Sequence, residues 1–204
     1  MTGEGSTERF RLFVAISVPD AVRNEIVCVQ RELQRFTSRD TVRWTKPEQF
    51  HLTLRFLGDV SSDRLAALQE SLRVVCSGAP PLHLRAQGIG FFPDARSPRV
   101  VWVGINDDGN RLAGLQKKIE VAVQSFVAKP GGEHFAGHVT LGRFKLFNNF
   151  EIKALTNTVE AMKNRTLGKW TATEVEVVRS ELSRIGTVYR VLTTLFLGGK
   201  IKPS

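Results

Sequence analysis

A short motif occurs twice in this chain and constrains its fold more than any other feature. His51-Leu-Thr-Leu54 and His138-Val-Thr-Leu141 stand 87 residues apart in a chain of 204 residues. Both copies alternate polar and apolar residues, which is typical of a β-strand with one buried face. In such a strand the histidine and the threonine share the polar face, while the apolar residues point into the core. A spacing of nearly half the chain predicts two similar halves, each containing one such strand.

Hydrophobic periodicity predicts further helices and strands along the chain. Apolar residues recur every three or four positions in four predicted helices, at 21–36, 63–76, 112–126 and 152–162. Extended apolar segments predict strands at 10–17, 42–44, 50–57, 82–87, 99–105, 135–144, 172–181 and 187–197. Gly88, Gly90 and Pro93 interrupt the pattern, so we predict a turn at 88–93. The short turns and the closing strand pair favour antiparallel pairing, and hence an α+β fold.

Charge and composition limit the kind of partner and the cellular location that we expect for this protein. The chain carries 29 Lys and Arg against 20 Asp and Glu, a net charge of +9 with neutral histidines, which predicts an anionic partner such as nucleic acid. Cys28 and Cys76 lack the spacing of a zinc site or a disulfide framework, so we predict reduced cysteines in the core. The sequence has no apolar run of membrane-spanning length and no signal-like start, which favours a cytoplasmic protein that does not contact a membrane.

The two motifs together predict a phosphodiester site. If the two halves face each other, two imidazoles and two hydroxyls converge in one cleft of a basic protein. Near neutral pH one imidazole can accept a proton while the other, as imidazolium, donates one. Threonine hydroxyls can donate hydrogen bonds to phosphate oxygens, and an arginine can neutralise charge that develops in the transition state. Such a site needs no metal.

Longer blocks around both motifs resemble those of a known family. The first strand reads Arg11-Leu-Phe-Val-Ala15, and the first motif lies within Val42-Arg-Trp-Thr-Lys-Pro-Glu-Gln-Phe-His-Leu-Thr-Leu-Arg-Phe-Leu-Gly58. Further matching blocks are Gly88-Ile-Gly-Phe-Phe-Pro93, Pro98-Arg-Val-Val-Trp102, Arg179-Ser180 and Tyr189. On these blocks the chain is similar to the two-histidine (2H) phosphoesterase superfamily, and within it to the RNA 2′,3′-cyclic phosphodiesterases, also called 2′-5′ RNA ligases.

The resemblance implies a fold and a reaction. The implied fold is bilobal α+β, with two pseudo-symmetric antiparallel sheets facing a central cleft and helices on the outside. We expect one such domain over 10–198, a disordered N-terminal extension at 1–9, a C-terminal tail at 199–204, and a monomer. The implied reaction is metal-independent hydrolysis of the 2′,3′-cyclic phosphate of an RNA end or nucleotide to a 2′-phosphate, without a cofactor. Run in reverse, the same site would perform 2′-5′ ligation.

The resemblance also implies roles for individual residues by motif position. His51 matches the proton donor to the departing 3′ oxygen, and His138 matches the proton acceptor. Phe92 matches the aromatic that stacks on the nucleobase. The residues that match phosphate ligands are Thr53, Thr140 and Arg143.

Three details of the site follow from the residues themselves. Gly137 stands where the family usually has proline, which makes the start of the second motif strand less rigid. Strict alternation from His138 puts Arg143 on the opposite face, so a bulge or strand end near Gly142 must redirect it into the cleft. The arginines that we expect in the cleft are Arg11, Arg55, Arg143 and Arg179. By contrast, Trp44 and Trp102 stand in apolar strands, and we expect them in the core.

Two further functions are compatible with the same residues. One is a phosphodiesterase that acts on 2′-5′-linked oligonucleotides or on ADP-ribose cyclic phosphate, which other branches of the superfamily process. The other is a non-catalytic module that binds RNA ends, in which the histidines only hold phosphate. Intact threonines beside both histidines argue against the binding module.

Overall fold

The computed structural model describes residues 8–129, 131–132, 134–146, 148–184 and 186–199, and within these ranges the chain forms one antiparallel sheet covered by helices. The helices are α1 (Asp20–Gln34), α2 (Leu65–Ser77), α3 (Arg111–Val123) and α4 (Asn149–Ala161). The strands are β1 (Arg9–Ser17), β2 (Val42–Trp44), β3 (His51–Ser61), β4 (Leu82–Phe92), β5 (Val100–Asp107), β6 (His138–Phe144), β7 (Thr166–Ala172), β8 (Glu174–Ser183) and β9 (Gly186–Phe196).

The sheet consists of two four-stranded halves. Its strand order is β7-β4-β5-β6-β3-β1-β8-β9, and the short β2 pairs with β6. The halves β3-β1-β8-β9 and β6-β5-β4-β7 meet where the two motif strands lie side by side, through one register pair, Leu52 with Val139. The expected α+β fold with antiparallel pairing and two similar halves is therefore confirmed, and a single residue pair joins the halves into a continuous sheet.

The helices cover one face of this sheet and bury its apolar side chains. Helices α1 and α4 contact β7 and β4, whereas α2 and α3 contact β9, β3 and β5. Leu52, Leu54, Val139 and Leu141 are buried in one continuous core cluster under these helices. Because side chains alternate along a strand, the histidines and threonines of both motifs lie on the other face of the sheet.

Several predicted boundaries were wrong, each for a local reason. The predicted turn at 88–93 is part of β4, because the strand absorbs Gly88 in a bulge and continues to Phe92. Strand β7 was missed, since Gly168 and Lys169 break its apolar pattern. The strand predicted at 135–144 begins only at His138.

The two cysteines have different surroundings. Cys76 is buried, and burial raises the pKa of its thiol to about 11. Cys28 is exposed, so its predicted core position was wrong.

No described helix is long and apolar enough to cross a bilayer. Residues 1–7 and 200–204, which include most of the predicted extension and tail, lie outside the described residues.

Shortening a buried side chain at the junction of the two halves is expected to destabilise the whole fold. Leu52 is 0% exposed and forms the register pair between the halves. Leu52→Ala should lower the free energy of unfolding by about 2–5 kcal/mol, because it leaves a cavity in the continuous core. Leu182→Ala removes the same atoms at a position that is 87% exposed, and should change that free energy by less than about 0.5 kcal/mol. Urea unfolding of both variants measures the difference, and equal effects would contradict a core position for Leu52.

Candidate active site

The four polar residues of the two motifs form one compact group on the open face of the sheet. Leu52 pairs with Val139 in antiparallel register, so His51 lies opposite Thr140 and Thr53 lies opposite His138. All four side chains are half-buried, while the apolar residues between them are buried on the helix face. The sequence prediction that both motifs share one face is confirmed by this register.

Backbone carbonyl groups orient both imidazoles in the same way. His51 Nδ1 lies 2.6 Å from the Gln49 carbonyl oxygen, and His138 Nδ1 lies 2.8 Å from the Ala136 carbonyl oxygen. A carbonyl can only accept a hydrogen bond, so Nδ1 carries a proton in both rings and Nε2 remains for chemistry. Gln49 is itself fixed, because its side-chain amide donates to the Thr187 carbonyl at 2.6 Å. The two halves thus prepare their histidines by the same contact, to the residue two positions earlier.

Aromatic rings pack against each imidazole. The centroid of the His51 ring lies 4.8 Å from that of Phe13 and 5.2 Å from that of Tyr189. The His138 ring stands edge-on to Phe92 at 4.9 Å. These rings exclude water from one side of each imidazole, which holds its orientation and desolvates it.

Trp102 belongs to this open face, although its sequence context predicted a core residue. It pairs with Thr140 across β5 and β6, and its ring lies 5.0 Å from the ring of Phe92. Gly90 lies opposite Trp102, and a Cβ at that glycine would come within 2.4 Å of the indole. The indole therefore lies over bare backbone beside Phe92, and the two rings form one aromatic surface next to His138.

Burial lowers the pKa of both histidines. For His51 the desolvation exceeds the opposing effect of the Gln49 carbonyl, and the charge of His138 lowers the pKa further. For His138 the desolvation again dominates over the Ala136 carbonyl, and the charge of Arg143 lowers the pKa further. Both imidazoles are therefore held closer to neutrality than a solvated histidine, and each responds to a neighbouring positive charge.

A bulge after each threonine sets which later side chains enter the cleft. In β3 the residue without a partner is Leu54, and in β6 it is Leu141. Counted from the threonines, Phe56 and Arg143 are therefore equivalent positions, and at each of them the side chain points to the open face. The bulge that the sequence required for Arg143 is present.

Buried contacts fix the bulge in β6. The Leu141 carbonyl accepts hydrogen bonds from the Thr45 amide at 2.8 Å and from the Gln30 side chain of α1 at 2.9 Å. At Gly142 a Cβ would meet the Val42 side chain at 2.7 Å. Glycine at this position therefore allows β2 to pack closely on β6, and Arg43 of β2 pairs with Arg143.

Three arginines act electrostatically on Tyr189. Burial raises the pKa of Tyr189, while the positive charges of Arg143, Arg11 and Arg43 oppose that rise. Arg11 and Arg143 were expected in the cleft, and the field at Tyr189 supports both. Arg43 was not predicted, because no motif distinguishes it from the other arginines; its pairing with Arg143 is visible only in the fold.

Two other arginines that were expected in the cleft do not lie there. Arg55 is on the helix face, where it pairs with Glu120 of α3 at 2.6 Å and donates to the Lys129 carbonyl. Arg179 lies over the Phe10 ring and pairs with Glu8 and Glu181. For Arg55 the reason is the bulge at Leu54, which makes it equivalent to Gly142 rather than to Arg143.

Gly137 has a structural role that the sequence comparison did not suggest. The Gly137 carbonyl accepts a hydrogen bond from the Ile105 amide at 2.8 Å. A Cβ at residue 137 would lie 2.7 Å from the Ile105 carbonyl oxygen. The start of β6 therefore lies so close to β5 that this chain has no space there for a side chain.

The chain is similar to known proteins over most of its length. Residues 16–102 match the family model described as LigT like Phosphoesterase. An RNA 2′,3′-cyclic phosphodiesterase of Archaeoglobus fulgidus is 31% identical over 182 residues, which is 89% of this chain and 97% of that protein. The chain belongs to the LigT-like phosphoesterase family.

Solved structures of this family have the same fold. A Thermus thermophilus protein, TT0787, is 27% identical and superposes with a TM-score of 0.76, covering 94% of this chain and 100% of that protein. E. coli LigT in complex with phosphate is 25% identical with a TM-score of 0.69, covering 94% of this chain and 99% of that protein. Membership in this family makes the protein a phosphoesterase.

Its described residues contain no cluster of three or more histidine, cysteine or acidic side chains that would hold a metal.

The coupling between the charged groups is testable by titration. Both histidines should titrate below the ordinary value of 6.5, because burial disfavours their charged forms. In His138→Asn the pKa of His51 should rise, since a neighbouring charge is removed, and in Arg143→Gln the pKa of His138 should rise for the same reason. NMR titration of the imidazole signals measures both shifts. Downward shifts, or none, would contradict the proximity of these groups.

Proposed function

We propose that the protein is an RNA 2′,3′-cyclic 3′-phosphodiesterase, which hydrolyses the 2′,3′-cyclic phosphate of an RNA end or nucleotide to a 2′-phosphate without a metal. The observation that carries the proposal is the group of His51, Thr53, His138 and Thr140 on one face, with both Nδ1 atoms bound to backbone and both Nε2 atoms left for chemistry. The name of the 31% identical relative supports this choice of substrate.

We assign different roles to the two histidines from the charges around them. The Arg143 charge lowers the pKa of His138, which favours the neutral form that a general base requires. Burial is the largest cause of the lowered pKa of His51, and among the described residues the charge of His138 adds to it; that added effect disappears when His138 is neutral. His51 can then hold a proton beside an anionic substrate. We therefore assign His51 as proton donor and His138 as proton acceptor.

Hydrolysis then proceeds by in-line attack of water on phosphorus. His138 Nε2 accepts a proton from the attacking water, while His51 Nε2 donates its proton to the 3′ oxygen as the P–O3′ bond breaks. The products are a 2′-phosphate and a 3′-hydroxyl. Thr53 and Thr140 donate hydrogen bonds to the non-bridging oxygens, and Arg143 balances the negative charge that accumulates on them.

The terminal nucleobase is assigned to Phe92. This ring lies beside His138 and is backed by Trp102, so a base stacked on it brings its ribose phosphate next to the imidazole. Stacking tolerates all four bases, because every base has an aromatic face. The site therefore recognises the end chemistry of an RNA more strongly than its sequence.

Substitution of either motif histidine tests the reaction. Asparagine retains a donor that can reach the backbone carbonyl bound by Nδ1, but it has no group in place of Nε2. His51→Asn and His138→Asn should each lower kcat/KM for adenosine 2′,3′-cyclic phosphate about 100- to 10,000-fold, as expected for the loss of a general acid or base. Assays run in excess chelator, with the product isomer identified by chromatography. In the wild type the product should be the 2′-phosphate alone.

The pH dependence of the wild type follows from the lowered pKa values. As the pH rises through the pKa of His51 the proton donor is lost, so kcat/KM should decline on its alkaline side already below pH 6.5.

Near-wild-type activity in His51→Asn, or activity that chelator abolishes, would overturn the proposal. Bound cyclic nucleotide without turnover would identify a binding module instead.

The aromatic surface gives a separate prediction for substrate affinity. Phe92→Leu should raise KM for adenosine 2′,3′-cyclic phosphate about 5- to 100-fold, which corresponds to the ~1–3 kcal/mol of one stacked base, with a much smaller change in kcat. Phe150→Leu is the matched control, because Phe150 is 84% exposed on α4. An equal effect of the two substitutions would contradict base stacking on Phe92.

Product analysis separates the related activities that share this machinery. With an added 5′-hydroxyl RNA, formation of a 2′-5′ linkage would identify reverse ligation by the same two histidines. Faster turnover of 2′-5′-linked oligonucleotides or of ADP-ribose cyclic phosphate would move the protein to another branch of the superfamily.

A further inference from the structure

The open face of the sheet continues beyond the aromatic surface onto the outer strands β4 and β7. Leu82 and Leu84 are buried on the helix face, so His83 and Arg85 lie on the open face. The bulge at 87–88 preserves this assignment along β4, because Ile89 and Phe91 are again buried while Phe92 contacts His138. We call the surface formed by His83, Arg85, Lys169 and Thr171 the β4–β7 surface.

The strand register places this surface at a defined distance from the catalytic group. His138 lies opposite Gly104, and two residues further along β5 Asn106 lies opposite Arg85, which in turn lies opposite Lys169. With strands about 4.8 Å apart and residues about 3.3 Å apart, Lys169 lies roughly 16 Å from His138 along the sheet. That distance corresponds to roughly two to five nucleotides of a single strand.

The β4–β7 surface is concave and basic. It lines a depression of about 270 Å³ together with Asp108. Asp108 pairs with Arg85, whereas Lys169 has no ion pair with any described residue. The His83 ring contacts the Thr171 hydroxyl at 3.0 Å, which adds hydrogen-bonding groups beside the lysine. An ammonium group with neighbouring hydrogen-bonding groups is suited to a phosphodiester backbone.

The open face of the other half carries two acidic side chains on β8 as well as Arg11 of β1. Val175 and Val177 are buried, so Glu174 and Glu176 point to the open face, and Glu176 pairs with Ala15 next to Thr53. In the other half the residue equivalent to Glu176 is Gly90. Burial and the charge of Glu174 both raise the pKa of Glu176, and neither carboxylate has an ion pair with a described residue. These two carboxylates disfavour a phosphate backbone over β8.

We propose that the β4–β7 surface binds the backbone phosphates of the nucleotides that precede the cyclic phosphate, so that RNA oligomers are better substrates than cyclic mononucleotides. This inference rests on the proposed function. The RNA enters over β7 and β4 and ends with its terminal base on Phe92. Glu174 and Glu176 disfavour the alternative path over β8.

Charge reversal at Lys169 tests the path with two substrates, adenosine 2′,3′-cyclic monophosphate and a hexaadenylate with a 2′,3′-cyclic phosphate end. The wild type should show a higher kcat/KM for the hexamer at low salt. Lys169→Glu should lower kcat/KM for the hexamer about tenfold through KM, and should reduce the slope of its salt dependence by about 1. Turnover of the mononucleotide should stay within twofold, since it does not reach this surface.

Two control variants make the result specific. Lys117→Glu makes the same charge change on α3 in the helix layer, and should alter neither substrate. Glu176→Gln should leave the preference for the hexamer unchanged. If Lys169→Glu leaves the hexamer unaffected, or if Glu176→Gln rather than Lys169→Glu changes hexamer turnover, the proposed path is wrong. If the wild type hydrolyses neither substrate, the proposed function itself fails.

Discussion

The candidate site depends on one residue pair, Leu52 with Val139, where the two halves of the sheet meet. Both side chains are buried on the helix face, so the antiparallel register forces the four motif residues next to them onto the other face. A shift of that register by one residue would turn the histidines into the core and the leucines into solvent. The hydrophobic core therefore fixes the arrangement of the polar group, and the chemistry needs no further framework to bring its parts together.

In the proposed mechanism, burial and charge give different roles to two histidines in matching positions. Each imidazole has the same carbonyl contact to the residue two positions earlier and an aromatic ring at its side, so local geometry does not distinguish them. The difference arises from Arg143, which the bulge at Leu141 turns toward His138. In the proposed mechanism this one arginine separates base from acid, and the bulge that presents it is fixed by the buried Gln30, which donates to the Leu141 carbonyl.

The sequence alone predicted the elements that have strong periodicity and missed those that depend on pairing. The motif strands, the four helices and the α+β class followed from patterns in the chain. Strand β7 did not, because Lys169 and Gly168 interrupt its apolar residues, and its assignment depends on its partner β4. Trp102 stands among valines, so no alternation marked it as an open-face residue. Arg55 and Arg143 look alike in sequence, yet the bulges give them opposite faces, and only the register shows this.

The equivalence of Phe56 and Arg143 has a consequence for how a ligand can sit. A site with perfect two-fold symmetry would bind a phosphodiester in two orientations of equal free energy. Half of the bound molecules would then place the leaving oxygen beside the wrong imidazole. Here one position holds a cation and its counterpart holds a phenyl ring that is 59% exposed. The two orientations therefore differ in free energy, so the proposed phosphodiester site binds its ligand in a single orientation.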